Sequence, residues 1–308
     1  MKIRIGTRTS ELALTQTRWV AARLQELEPG LEVEEVHLKT TGDRDQVSAL
    51  DQQGGVGLFT KELERALLAD ECDLAVHSLK DLPTVLQDGL CLAAVPEREE
   101  PWDVWISEKY ADLRDVPAGG KVRTGSLRRR AQILHAYPHL EVTGIRGNID
   151  TRLARYKEDG DGLILAAAGL RRTGREGVIR ATFGPTEMTP APGQGALGLE
   201  TRADRPEVQE LVGRMDHAAT RAAVEAERTL LNRLEAGCHM PVGGIAHVND
   251  GVVSLLGVVA TPNGEQLLRM SHEGPADAAA DVGRALAETM LAAGAESMLG
   301  AAGGVDGA

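Results

Sequence analysis

Aromatic side chains make up 3% of the 308-residue chain: two Phe, three Tyr and three Trp. So few rings exclude the stacking platforms of single-stranded nucleic-acid binders, and they require cores built from Leu, Val, Ile and Ala. Cysteine is scarce as well. Cys72, Cys91 and Cys238 are widely and irregularly spaced, which argues against a disulfide framework and against a zinc site. No window approaches the roughly 18 apolar residues of a membrane span. The N-terminus, MKIRIGTRTSELAL, lacks a long apolar run and a signal-peptide cleavage pattern. A soluble, cytoplasmic protein is expected, with neither membrane nor nucleic acid among its partners. His135 and His139 are four apart but straddle Pro138, so they share no helix face, and metal dependence is not expected. The glycine-rich GQGALG (193–198) lacks G-x-G-x-x-G between strand and helix, and no P-loop lysine follows it. Nucleotide binding has no support.

Present in quantity are aliphatic residues and unevenly spread charge. At 42% hydrophobic, 308 residues are enough for two or three cores of about 100 residues each. Net charge is −12, yet residues 121–180 hold 13 Lys+Arg against 6 Asp+Glu, a net +7. An acidic protein with one basic segment suggests a focused anionic ligand.

KIRIGTR (2–8) predicts a strand, and Ser10 caps a helix whose apolar positions Leu12, Trp19, Val20, Leu24 and Leu27 recur at helical spacing. VEEVHLKT (33–40) predicts a strand, 41–57 a long polar loop, 58–70 a helix, and DLAVHSL and GLCLAAVP two more strands. Strands alternating with helices mean a doubly wound parallel sheet. The pattern then restarts: strands at PWDVWIS, GGKVRTG, LEVTGIRG and DGLILAAAG, with helices at SLRRRAQILHAYP and NIDTRLARYKEDG. TEMTPAPGQGALGLE (186–200) is expected to cross back to the first unit. Two α/β lobes joined by two crossovers make a hinged cleft, with ligand at the carboxyl ends of strands. From about residue 218 a long helix ends at a capping Gly237, followed by GGIAHV, VVSLLGVVA and EQLLRMS, the last two joined through Pro-Asn-Gly. A final helix over about 276–293 completes a small α+β domain, and GAAGGVDGA (300–308) is expected to be a disordered tail.

HSLKDLP (77–83) places Ser78, Lys80 and Asp81 where a strand meets a loop. That is what a carboxylate at a cleft mouth beside a cation looks like, and also what a loop rich in capping groups looks like. Arg8 and Arg146 stand at predicted strand ends, Arg128 with Arg129 follow Ser126 at a helix start, Arg152 lies in the first turns of the next helix, and Arg171 with Arg172 follow the AAAGL strand end. Guanidinium forks pair bidentately with carboxylates or phosphates, so their convergence predicts a ligand with several acidic groups. Cys238, between Gly237 and Pro241, is either a buried structural thiol or a nucleophile. With no His-Asp relay, a permanent thioether to a prosthetic group suits it better than hydrolytic turnover.

Together these stretches resemble the porphobilinogen deaminase (hydroxymethylbilane synthase) family. The resemblance runs nearly end to end, through IGTRTSELALTQT, GLFTKELE, HSLKDLPT, GSLRRRAQ, IRGNIDTRL, AAAGLRR, PGQGALGLE and LEAGC with its Pro-x-Gly. It implies two doubly wound α/β lobes like type-2 periplasmic binding proteins plus a small C-terminal α+β domain. The expected division is 1–97 with 194–216, then 98–193, then 217–308. It also implies a monomeric transferase that adds four porphobilinogen units head to tail, each losing ammonia, until water releases the linear tetrapyrrole. Cys238 matches the residue that holds a dipyrromethane cofactor by a thioether. Asp81 matches the catalytic aspartate, with Lys80, Thr124, Ser126, Arg128, Arg129 and Arg146 beside that cofactor. Arg8, Ser10, Gln16, Phe59, Ser78, Arg146, Arg152 and Arg172 match substrate-binding positions.

The sequence departs from the family's pattern at three places. The glycine loop reads Gly54-Gly55-Val56-Gly57 where lysine is common, and Gln52 replaces another lysine; Arg123 is the candidate to compensate. The usual G-T-S-S-L-R-R appears as Arg123-Thr124-Gly125-Ser126-Leu127-Arg128-Arg129, and Pro101-Trp102-Asp103-Val104-Trp105 is unusual. A non-catalytic two-lobed binding protein for an organic polyanion is the competing reading, and a cysteine-dependent acyl hydrolase a weaker third.

Overall fold

The structure is a computed structural model that describes residues 1–38, 60–234 and 240–303. The chain divides into two compact units, Met1–Glu99 with Gly195–Arg221, and Glu100–Gln194 with Ala222–Ala308.

In the first unit β1 (Lys2–Arg8), β2 (Glu32–Leu38), β3 (Leu74–Ser78), β4 (Leu90–Ala94) and β10 (Leu197–Arg202) form one sheet in the order β2-β1-β3-β10-β4. β1 lies parallel to β2 and β3, with Ile3 opposite Val33 and Ile5 opposite Leu74. The returning segment is where the sequence placed it, but β10 runs antiparallel to both its neighbours, with Leu197 opposite Ser78 and Arg202 opposite Leu90. This sheet is therefore mixed rather than wholly parallel, because β10 enters by a crossover and not through a helix. Helix α1 (Glu11–Leu27) starts as expected at Ser10, whose Oγ accepts from the Ala13 amide at 3.4 Å. Its inner face differs from the apolar pattern: Gln16, Thr17, Val20 and Leu24 are buried, while Trp19 is 45% exposed. Trp19 falls off the stripe set by 16, 20 and 24. α2 (Lys61–Leu68) and α6 (Pro206–Gly213) complete the unit, which closes on Ile3, Ile5, Leu24, Leu74, Leu199 and Val212.

In the second unit β5 (Asp103–Ile106), β6 (Lys121–Arg123), β7 (Glu141–Thr143), β8 (Gly162–Ala166) and β9 (Ala181–Thr182) are ordered β7-β6-β8-β5-β9. β6 is parallel to β7 and β8, and β5 antiparallel to β8 and β9. The two sheets repeat one plan: a strand flanked by two parallel neighbours, then an antiparallel strand. Helices α3 (Leu127–Ala136) and α4 (Ile149–Asp159) fall where predicted. The strand expected over 161–169 stops at Ala166, and Ala167–Arg172 forms a short helix, α5; an alanine run carries no β-branching to hold it extended.

The remaining elements are α7 (Ala218–Arg233), an antiparallel meander of β11 (Val242–Asn249), β12 (Val252–Ala260) and β13 (Leu267–Pro275), and helices α8 (Ala279–Ala292) and α9 (Ala295–Gly303). Leu230, Val253, Leu255, Val259, Leu286 and Met290 make their core. The β11–β12 turn, Asp250-Gly251, has both residues at positive φ (48° and 76°), the geometry that Asp-Gly favours in two-residue hairpins. α9 extends through Gly303, so residues 300–303 are helical rather than part of a disordered tail. The expected Gly237 cap lies outside the described residues. No described helix is long and apolar enough to cross a membrane.

Candidate functional site

In the first unit the candidate residues gather at the carboxyl ends of adjacent strands. β3 ends at Ser78 and the chain tightens into one 3-10 turn, Leu79–Asp81. Leu79 and Leu82 are buried at 1% and 3% exposure, and the Leu82 amide donates to the Leu79 carbonyl at 3.2 Å. Two leucines three apart pin the turn inward, which leaves Lys80 half-buried and turns Asp81 out to solvent. Arg8 ends the neighbouring parallel strand β1 and is half-buried. α1 overlies these ends: Gln16, itself buried, donates through Nε2 to Ser78 Oγ at 2.9 Å. Arg8, Ser10, Gln16, Ser78, Lys80 and Asp81 thus belong to one edge of one sheet. Phe59 and the loop at 52–57 lie outside the described residues.

Behind that edge is a buried pair that the sequence did not signal. His77 Nε2 lies 3.0 Å from Glu200 Oε2, with the two residues 4% and 0% exposed. Burial pushes the nearby Glu64 carboxyl up, and the Glu200 charge adds to this against the opposing pull of Thr60 and His77. Glu200 is 123 positions from His77 in sequence, so spacing carries no trace of the contact.

In the second unit the loop after β6 is shaped by its own hydroxyls. Thr124, buried, accepts the Ser126 amide on Oγ1 at 3.3 Å, and Ser126 Oγ accepts the Arg129 amide at 3.4 Å as the cap of α3. Arg128 and Arg129, in the first turn, are each 5% exposed and converge on Asp103 of β5, which is 0% exposed. Arg128 Nη1 donates to Asp103 Oδ2 at 2.7 Å and to the Thr189 carbonyl at 2.7 Å. Arg129 donates to Asp103 Oδ1 through Nε (3.0 Å) and Nη2 (2.7 Å), and to the Ile164 carbonyl through Nη1 at 3.1 Å. Gln194 Nε2 adds a bond to Asp103 Oδ1 at 2.8 Å. Arg128 Nε is buried without a hydrogen-bond partner. Asp103 of the PWDVW stretch organises the two arginines.

Burial alone would push the Asp103 carboxyl up, but Arg128 and Arg129 outweigh it and hold the group well below the usual carboxylate range. Burial pulls the Arg128 guanidinium below its ordinary value, and Arg129 adds repulsion while Asp103 opposes both. Two buried guanidiniums share one carboxylate, so the cluster carries a net positive charge out of water, which is costly unless an anion joins it.

The other arginines separate by what holds them. Arg146 follows β7 and is half-buried. Asn148 caps α4 through the Thr151 amide at 2.9 Å, and Arg152 Nε donates to the Gly147 carbonyl at 2.7 Å. Arg172 lies in the last turn of α5, beyond β8. Because β7, β6 and β8 are adjacent and parallel, the segments bearing Arg146, Arg128 with Arg129, and Arg172 all leave the same edge of the sheet. Arg171 is ion-paired with Glu100, Arg175 with Asp150 at 2.6 Å, and Arg123 with Asp159 at 2.8 Å. Arg123, the candidate substitute for a loop lysine, is thus held by a carboxylate of its own unit. Cys238 lies outside the described residues, and no group of three or more potential metal ligands occurs among those described.

The sequence matches two family models over nearly its whole length: "Porphobilinogen deaminase, dipyromethane cofactor binding domain" at residues 3–210, and "Porphobilinogen deaminase, C-terminal domain" at 221–292. It is 47% identical over 302 residues to a porphobilinogen deaminase of Chromobacterium violaceum, covering 97% of each chain. It is 48% identical over 299 residues to that of Pelotomaculum thermopropionicum, covering 97% of this chain and 96% of the relative. Among solved structures, a periplasmic substrate-binding protein of an ABC transporter from Coxiella burnetii aligns with a TM-score of 0.45 at 15% identity, over 69% of this chain and 91% of that one.

Proposed function

This chain belongs to the porphobilinogen deaminase family, and we propose that the residues at the two sheet edges carry that family's chemistry. The enzyme is a hydroxymethylbilane synthase, a transferase of tetrapyrrole biosynthesis. It joins four porphobilinogen molecules head to tail, ammonia leaving at each addition, and water then releases the linear tetrapyrrole. The competing reading as a non-catalytic binder of organic polyanions is not favoured.

Dipyrromethane, which bears several carboxylates, fits the donor set of the second unit: a net-positive Arg128–Arg129–Asp103 cluster, a buried Arg128 Nε without a partner, and the Thr124 and Ser126 hydroxyls. When bound, this group supplies the primer to which porphobilinogen is added. Cys238 is its attachment point through a thioether. Arg128, Arg129 and Arg146, with Lys80 and Asp81, hold it. Arg8, Arg146, Arg152 and Arg172 pair with the acetate and propionate groups of the substrate, while Ser10, Gln16, Ser78 and Phe59 complete its contacts.

Asp81 is assigned the catalytic carboxylate. It accepts hydrogen bonds from pyrrole N–H groups, assists protonation of the departing amine, and stabilises the cation that develops as ammonia leaves. Its outward placement between two buried leucines supports this role, since the turn holds the carboxylate without enclosing it. A three-domain division at 1–97 with 194–216, 98–193 and 217–308 is supported by the three separate sheets. The enzyme is proposed to act as a cytoplasmic monomer, without membrane or nucleic-acid partners.

The observation that carries the site reading is the excess of buried guanidinium over carboxylate around Asp103. The test is intact mass. Purified enzyme should exceed the polypeptide mass by two linked pyrrole units, and Cys238→Ser should lose that excess. A bare polypeptide mass in the wild type refutes the tether.

A further inference from the structure

We propose that the second unit holds another anion site, separate from the arginine cluster: a cavity for a small monocarboxylate with an apolar body, between the end of α3 and strand β13. The cavity has a volume of about 130 Å³. Ile133 and Phe183 line it together with Met188 and Leu267, and Arg269 of β13 is set among these apolar walls.

Arg269 is what points to a ligand. Its side chain makes no hydrogen bond and no ion pair among the described residues, and its Nε is buried. Burial lowers its pKa, with no carboxylate opposing the shift. Arg4, Arg128, Arg129 and Arg175 all have carboxylates against them. Three other polar side chains of the cavity are engaged. Glu187 Oε2 accepts the Gly184 amide at 2.8 Å, and His135 Nδ1 lies 2.9 Å from the Gly264 carbonyl. Gln132 binds Thr189 at both ends of its amide, at 2.8 and 3.1 Å. What remains is the Arg269 guanidinium beside the Tyr137 and Thr186 side chains and apolar surface, so the complementary ligand brings one carboxylate on a largely apolar body.

Size sets the rest. An apolar cavity of about 150 Å³ accommodates benzene, so this one takes a single ring or a short branched chain. Its walls are well anchored: at Gly264, φ +75°, an added Cβ would lie 2.6 Å from the His135 amide nitrogen and 2.7 Å from the Ala131 carbonyl oxygen. The β12–β13 turn is thereby pressed onto the backbone of α3 where no side chain fits. An occupant would bridge α3 to the C-terminal sheet, and through Gln132 it would share a wall with the Arg128 network.

The probe is sodium benzoate, titrated calorimetrically into the intact holoenzyme, with neutral benzyl alcohol as control. One saturable benzoate site per chain is expected, with benzyl alcohol at least tenfold weaker. Arg269→Gln should raise the benzoate Kd at least tenfold. Leu267→Trp, which fills the cavity while keeping the guanidinium, should do the same, and melting curves without ligand establish that both variants fold. Absence of saturable binding to wild type overturns the proposal, as does equal binding in both variants. Benzoate that competes with porphobilinogen and ignores both substitutions is bound at the substrate arginines, and this too overturns it. Because the readout is binding, its failure leaves the proposed catalytic function untouched.

Discussion

Removing the Asp103 carboxylate tests the reading of the arginine cluster most directly. In Asp103→Asn the side chain keeps its shape, so cavity effects are small and charge dominates. One amide oxygen can still take the three donors now on Oδ1, from Arg129 Nε, Arg129 Nη2 and Gln194 Nε2. The amide nitrogen then faces Arg128 Nη1, donor against donor, where 2.7 Å separates a charge-assisted pair in the wild type. Two buried guanidiniums are left without a counter-charge. Breaking a buried pair from one side costs about 3–5 kcal/mol. Arg128→Met should cost less, about 1–2 kcal/mol, because Asp103 retains Arg129 and the Thr189 carbonyl retains Gln132. The order is the test: if two positive charges share one negative charge, losing the negative one hurts more. Urea unfolding followed by tryptophan fluorescence in a Trp19→Phe background isolates the second unit, since Trp102 and Trp105 both belong to it. The pH dependence gives a second check. The folded pKa of Asp103 is depressed, so its contribution is present above the unfolded value of about 3.9 and is lost as pH falls below that toward the folded value. Asp103→Asn should flatten this acid limb. An Asp103→Asn variant within 1 kcal/mol of wild type, or an Arg128→Met variant that is the more damaged of the two, refutes the charge argument.

Asp81→Ala should abolish ammonia release from porphobilinogen, by about 10²–10⁴-fold or more, while circular dichroism stays unchanged because Leu79 and Leu82 still pin the turn; turnover near wild type would remove Asp81 from the mechanism. Glu200→Ala strands His77 Nε2 in the core and should cost about 1–3 kcal/mol, read as a lower urea midpoint for the first unit by circular dichroism; an unshifted midpoint would show that the pair contributes nothing. Val56→Lys restores a cation common in the family and should speed elongation, seen as less partially extended enzyme by mass spectrometry at limiting substrate; unchanged accumulation would dismiss the loop lysine as a determinant of rate.

Legibility in the sequence followed the range of the interaction. The Ser10 cap and the helix that opens with Leu127-Arg128-Arg129 rest on contacts within four residues, and both stand where predicted. The direction of β10 depends on which neighbours it meets after crossing over, and alternation of side chains is blind to direction. The strand read through 161–169 failed at its alanines, which take the helical state once the sheet edge is passed. Trp19 recurs with the apolar positions of α1, yet helix geometry gives the buried face to Gln16 and Thr17. The thiol at 238 and the loop around Val56 lie outside the described residues, so their reading rests on sequence alone.

Charge counting along the chain points to the segment that holds the buried arginine cluster, for a reason that is only partly the right one. Among the cations of 121–180, Arg123, Lys157, Arg171 and Arg175 are held by Asp159, Glu108, Glu100 and Asp150 respectively. Those acids are at least a quarter exposed, the class of ion pair that contributes little to stability, and two of them, Glu100 and Glu108, lie outside the segment and neutralise charge that its sum leaves standing. Arg128 and Arg129 differ in kind, being buried against one carboxylate that three donor groups already share. A segment with the same net charge but an acid for every buried arginine would have given an identical count and no place for an anion. What marks the proposed grip is therefore the ratio of guanidinium to carboxylate out of water, and Asp103, a lone acid in an otherwise apolar strand, is the residue from which that ratio can be read.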